Sequence, residues 1–133
     1  LSAKMLIDCV KVRPGYHVLL AGISHSDRDV AFLALPGNPQ SALAVLYSFG
    51  KPLIDSFLGA PQEKLAEIEL SSSLTTPEGF SRLVPGTLDG QVFSPTEYLG
   101  SAMLRGVAHA QGFGLIKPGV NQVGSTARWI PFS

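Results

Sequence analysis

The sequence has little of what marks several large functional classes. Its single cysteine, Cys9, cannot form an internal disulfide, and with three scattered histidines it cannot build a zinc finger. Net charge is missing too: ten Lys and Arg balance ten Asp and Glu over 133 residues. The balance holds locally, with five basic and four acidic residues over 1–60 and five and six over 61–133. Without a basic face, nucleic acid and an anionic membrane surface are excluded as first partners. No long apolar run exists either. The longest, Val30 to Gly37, is far too short to cross a bilayer. No secretory leader is legible, so a cytoplasmic location is expected. The chain opens at Leu1 rather than at a Met, which leads us to expect a piece of something longer.

What is present is core material. Apolar residues make up 45% of the chain and charged residues 15%, a soluble, core-forming composition that excludes disorder. Fourteen glycines and ten prolines punctuate short elements. Met5 to Val12 and Tyr16 to Ile23 read as strands around the turn Arg13-Pro14-Gly15. The polar stretch 24–29 predicts a hairpin into a third strand, Val30 to Leu35. That strand is apolar at every position, the pattern of a strand buried on both faces of an α/β sheet. From Ala42 the apolar period becomes helical through Leu43, Leu46, Phe49, Leu53, Ile54, Phe57 and Leu58, with Gly50 and Pro52 predicting a break. Only this helix is available to cover a sheet that needs cover on two sides, so the first half reads as part of a larger domain.

The segment Leu58-Gly59-Ala60-Pro61 is the expected boundary. Beyond it, Lys64–Ser71, Gly79–Leu88, Gln91–Ser94, Gly114–Lys117 and Ala127–Phe132 read as strands, with a hairpin at Asp89-Gly90 and a short helix over Ala102–Ala110. The expected architecture is an α/β unit over 1–60 followed by a small, mainly-β unit with one helix over 61–133.

The most pointed local feature is Leu35-Pro36-Gly37-Asn38-Pro39-Gln40-Ser41-Ala42, between strand and helix. Asn38 is a good N-cap, Pro39 suits the first helical position, and Gly37 permits close backbone approach to a ligand. The amides of Gln40 and Ser41 are then expected to face out of the helix start, an anion-binding arrangement. The competing reading is a well-capped turn with no ligand. Arg13, before Pro14-Gly15, is either a surface cation or a phosphate contact. Arg82 alternates with Phe80 and Val84, so it is expected half-buried and in need of a carboxylate or phosphate oxygen. Ser101, opening the second helix, is either a cap or a hydroxyl aimed at a ligand. His17, His25 and His109 share no metal-like spacing, and no Ser/His/Asp arrangement for nucleophilic catalysis is visible.

The ordered blocks Lys11-Val12-Arg13-Pro14-Gly15, Leu35-Pro36-Gly37-Asn38-Pro39-x-Ser41-Ala42, Phe80-Ser81-Arg82, Gly100-Ser101-x-x-Leu104 and Ala108-x-Ala110-x-Gly112-x-Gly114-Leu115-Ile116 resemble the C-terminal portion of the MoeA / gephyrin E-domain family, the molybdopterin molybdotransferases. The resemblance covers essentially the whole chain. It implies that residues 1–60 are the C-terminal half of the molybdopterin-binding α/β sandwich domain, and residues 61–133 the small β-barrel-like C-terminal domain IV. It implies insertion of molybdate into molybdopterin, with magnesium-assisted cleavage of an adenylylated intermediate and the magnesium ligands upstream of this chain. It further implies that Arg82 and Ser101 serve the reaction and that Arg13, Pro36, Gly37, Asn38, Pro39 and Ser41 bind the substrate. A homodimer and molybdenum cofactor pathway partners follow from the same likeness, and the chain alone is expected to be inactive. Two positions depart from the pattern: Cys9 stands where a second basic residue is usual, and Gly124-Ser125-Thr126 where an acidic one is. The alternative function is a gephyrin-type scaffold module that holds partner peptides.

Overall fold

The computed structural model describes residues 2–96 and 103–133. Strands β1 (Ser2–Asp8), β2 (Val12–Arg13), β3 (Leu19–His25) and β4 (Arg28–Ala34) come first. β3 and β4 form the hairpin that the polar 24–29 stretch predicts. Ser26 sits at its tip with φ +55°, and Ser24 Oγ donates to Asp29 Oδ1 at 2.7 Å across the pair. β1 pairs antiparallel with the other edge of β3, giving the order β1-β3-β4.

The double burial expected of Val30–Leu35 does not occur: Val30 is 52% exposed and Phe32 50%. This sheet is antiparallel, and such a sheet can carry one open face. Leu33 faces the helical segment at Gly50, while the register of Met5, Ala21 and Phe32 places the exposed Met5 and Phe32 on the opposite side. The helical segment comprises α1 (Pro39–Val45), a π-helical turn (Leu46–Gly50) and α2 (Lys51–Phe57). The break expected at Gly50 and Pro52 is thus a π turn, in which Lys51 N–H donates back to Leu46 O, and Pro52, which has no N–H to give, follows directly in the first turn of α2.

The second half contains β5 (Ala66–Leu70), β6 (Leu74–Thr76), β7 (Ser81–Asp89), β8 (Val92–Pro95), α3 (Met103–Ala108), β9 (Gly112–Ile116), β10 (Gly119–Asn121) and β11 (Thr126–Pro131). The order β7-β8-β5-β11-β9 closes through β9–β7 pairing into a five-stranded barrel. Alternation sends Ile68, Leu70, Val84, Phe93, Ile116, Ala127 and Trp129 into its interior together with Leu74. Phe93 is fully buried and fills the middle. Gly86 makes room for it, since a Cβ there would stand 2.5 Å from Phe93 Cζ. The short β6–β10 pair lies outside the expected strand set, because three residues are too few for alternation to register.

Sheet and barrel are joined by packing as well as by chain. A second apolar cluster gathers Ala44 with Leu83, Phe113 and Ile130, and Val12, Tyr47 and Phe132 pack against it. Tyr47 and Phe113 both contact the Phe132 ring, with centroids 4.4 and 5.0 Å away. The core therefore runs across residue 60.

Candidate functional site

The register of β1-β3-β4 decides where the predicted segments emerge. Asp8, Leu19 and Ala34 are neighbours at one end of the sheet. The loop carrying β2 and the corner 35–38 therefore both leave from that end. β2 then adds in parallel to β7, with Val12 opposite Ser81 and Arg13 opposite Arg82. Two arginines far apart in the chain become register partners, and residues opposite each other in a parallel pair project to the same side.

The surroundings of the two differ. Arg13 is exposed, and its guanidinium carbon lies 4.2 Å from the centroid of the Phe80 ring. Tyr16 meets the same ring edge-on at 5.8 Å, and His17 meets Tyr16 edge-on at 4.7 Å. Arg82 is half-buried, as its apolar neighbours predict, and has no carboxylate partner among the described residues. The turn between β2 and β3 requires glycine at Gly15: its φ is +115°, and a Cβ there would press on Val45 of α1 at 3.2 Å. That contact seats the Arg13 turn against the helix that Asn38 starts.

The corner folds as a capped helix start. Asn38 Oδ1 accepts from Gln40 N–H at 2.9 Å and from Ser41 N–H at 3.4 Å, and Pro39 is the first helical residue. The two amides expected to face a ligand are therefore taken up by the cap, because a short side-chain acceptor one residue before the helix outcompetes water for them. Pro36 is half-buried, and Gly37, Asn38 and Pro39 are exposed, with nothing within 4 Å of the Cβ position at Gly37. Ser101 lies outside the described residues.

Phe80 and Tyr16 are the members of this cluster that sequence reasoning gave no role. An aromatic next to Ser81-Arg82 was visible, but which cation it meets depends on the β2–β7 pairing. Cys9, partly buried at φ +60°, stays a free thiol. Desolvation first, and then the neighbouring Asp8 carboxylate, holds that thiol above its usual pKa. Among the described residues, a groove of about 460 Å³ opens between α2, the 60–66 segment and β11, lined in part by Tyr47, Pro52, Leu65 and Trp129, and another of about 180 Å³ lies on the outer barrel wall. No group of three His, Cys, Asp or Glu that could hold a metal occurs among the described residues. No helix among the described residues is long and apolar enough to cross a membrane.

Residues 67–132 match the family model for the MoeA C-terminal region, domain IV. This part of the chain is a MoeA C-terminal region. The barrel described above is the MoeA domain IV-like part, and the solved structures extend the likeness of fold to the sheet and helices before it. A molybdopterin biosynthesis MoeA protein from Pyrococcus horikoshii superposes with a TM-score of 0.69 at 22% identity, covering 97% of this chain and 32% of that one. A molybdenum cofactor biosynthesis protein from Pyrococcus furiosus gives 0.73 at 13% identity, covering 98% and 46%. A further MoeA structure from Pyrococcus horikoshii gives 0.72 at 14%, covering 96% and 32%. The chain spans about a third to just under half of the length of these MoeA-like structures. No curated protein sequence matches it.

Proposed function

We propose that this chain supplies oxyanion-holding residues to a cytoplasmic molybdopterin molybdotransferase. In this reading Arg13 and Arg82 hold the phosphate end of adenylylated molybdopterin while molybdate is inserted. The Pro36-Gly37-Asn38-Pro39 corner gives shape to the wall beside them, Ser41 lies on the same helix start, and Ser101 contributes its hydroxyl. The reading places the site within a homodimer and leaves the chain alone inactive.

The observation that carries it is the pairing of Arg13 with Arg82. Cations carried by adjacent strands on the same side repel, by about 1 kcal/mol in water if they approach to about 4 Å. An anion accepting from both turns that repulsion into attraction, and the planar fork of arginine matches two phosphate oxygens. The work done is positioning and electrostatic stabilisation rather than covalent chemistry.

Titration of the chain with molybdopterin tests this. A charge-assisted hydrogen bond contributes about 1.5–3 kcal/mol, so Arg82→Ala is expected to weaken binding about 10- to 100-fold, with Arg13→Ala in the same direction. Equal binding by both variants and the parent overturns the reading. The scaffold reading finds support in the groove beside Trp129: peptide binding that survives Arg82→Ala would favour it.

A further inference from the structure

We infer that Phe80 is a positioning residue, holding the Arg13 guanidinium beside Arg82 for the incoming oxyanion. This rests on the phosphate reading above and deepens it. Arg13 is exposed and sits on a long, flexible side chain, so nothing in its backbone placement fixes where its charge points. Left to itself such a side chain samples many rotamers, and ordering it on binding would weaken the affinity. The Phe80 ring removes that freedom in advance. The guanidinium carbon lies 4.2 Å from the ring centroid, within the range of a cation–π contact.

The ring is itself held. Tyr16 packs edge-to-face on it, with centroids 5.8 Å apart and planes at 60°, and His17 packs on Tyr16 at 84°. Phe80 N–H also donates to Pro77 O at 3.4 Å, a turn that delivers the residue to the start of β7. Ser81 N–H donates to Lys11 O at 2.9 Å, pinning the start of β7 to the chain just before β2. Phe80 immediately precedes β7, two residues before Arg82, so the ring sets Arg13 over the end of the strand from which Arg82 projects. Because guanidinium stacking on a face leaves its N–H edge free, Arg13 can hold the ring and donate to an oxyanion together.

The experiment compares pyrophosphate titrations at low salt of the 133-residue chain and of Phe80→Leu, Phe80→Tyr, Arg13→Ala, Arg82→Ala and Arg13→Ala/Phe80→Leu. Phe80→Leu keeps an apolar side chain but loses the π face. It is expected to weaken binding about two- to fivefold, the size of an exposed cation–π contact. Phe80→Tyr restores the affinity, and Phe80→Leu adds nothing once Arg13 is alanine. Side-chain NMR gives a second readout: the Arg13 methylene protons shift upfield in the ring current, and Phe80→Leu abolishes the shift. The inference is overturned by an absent ring-current shift, by parental affinity in Phe80→Leu, or by an undiminished Phe80→Leu effect in the Arg13→Ala background. If pyrophosphate does not bind the parent, or binds Arg13→Ala and Arg82→Ala as well as it does the parent, the phosphate reading itself falls, and this inference with it.

Discussion

Replacing Gly86 by alanine tests whether the barrel closes around Phe93 as described. The new Cβ would lie 2.5 Å from Phe93 Cζ and 2.5 Å from the Ser94 carbonyl oxygen, and nearer still to Phe93 Cε2. One obstacle is a fully buried ring and the other is backbone of the paired strand β8, so neither moves away freely. Overpacking of this kind costs about 1–3 kcal/mol, and two stiff obstacles place Gly86→Ala near the upper end. Phe93→Leu removes the ring obstacle but leaves the carbonyl, and by itself opens a void costing about 1–2 kcal/mol. The double variant should therefore be more stable than the sum of the singles by about 1 kcal/mol, a coupling measurable in urea titrations with an unchanged slope. Gly37→Ala is the control: nothing lies within 4 Å of its Cβ position, and a cost below about 0.5 kcal/mol is expected. Strict additivity of the two barrel substitutions would mean that Gly86 and Phe93 do not meet, and the closed barrel would have to be redrawn.

Asn38→Ala should cost about 1 kcal/mol in chemical denaturation, because the amides of Gln40 and Ser41 lose their shared acceptor. Cys9 should react with iodoacetamide more slowly in the folded chain than in urea at neutral pH, since its raised pKa keeps the thiol protonated. The folded-state rate should then climb at higher pH than the unfolded one. Asp8→Asn should shift it only part of the way back, because desolvation remains the larger cause. Asp55→Asn should cost no more than a few tenths of a kcal/mol and do so only at low salt, since its partner Lys51 lies one helical turn away and the pair is substantially exposed.

Much of the local structure follows from the order of residues alone. The change of apolar period after Pro39, the polar tip at Ser26, the Asp89-Gly90 hairpin and the Asn38 cap each arise from interactions within a few residues, and each is present. What pairing partner a strand finds is another matter. Val30–Ala34 carries the composition of a doubly buried strand, yet one of its faces is open, because burial depends on what the rest of the chain brings to that face. The closure of β9 on β7 and the parallel docking of β2 on β7 join segments distant in the chain. They are chosen by how Leu83, Phe113, Ile130 and Ala44 fit together, not by any local period. The candidate site shares this division. Arginine before Pro14-Gly15 and arginine after Phe80-Ser81 were legible as unusual cations, but their adjacency, and the ring under one of them, exist only once the sheet and the barrel share a core.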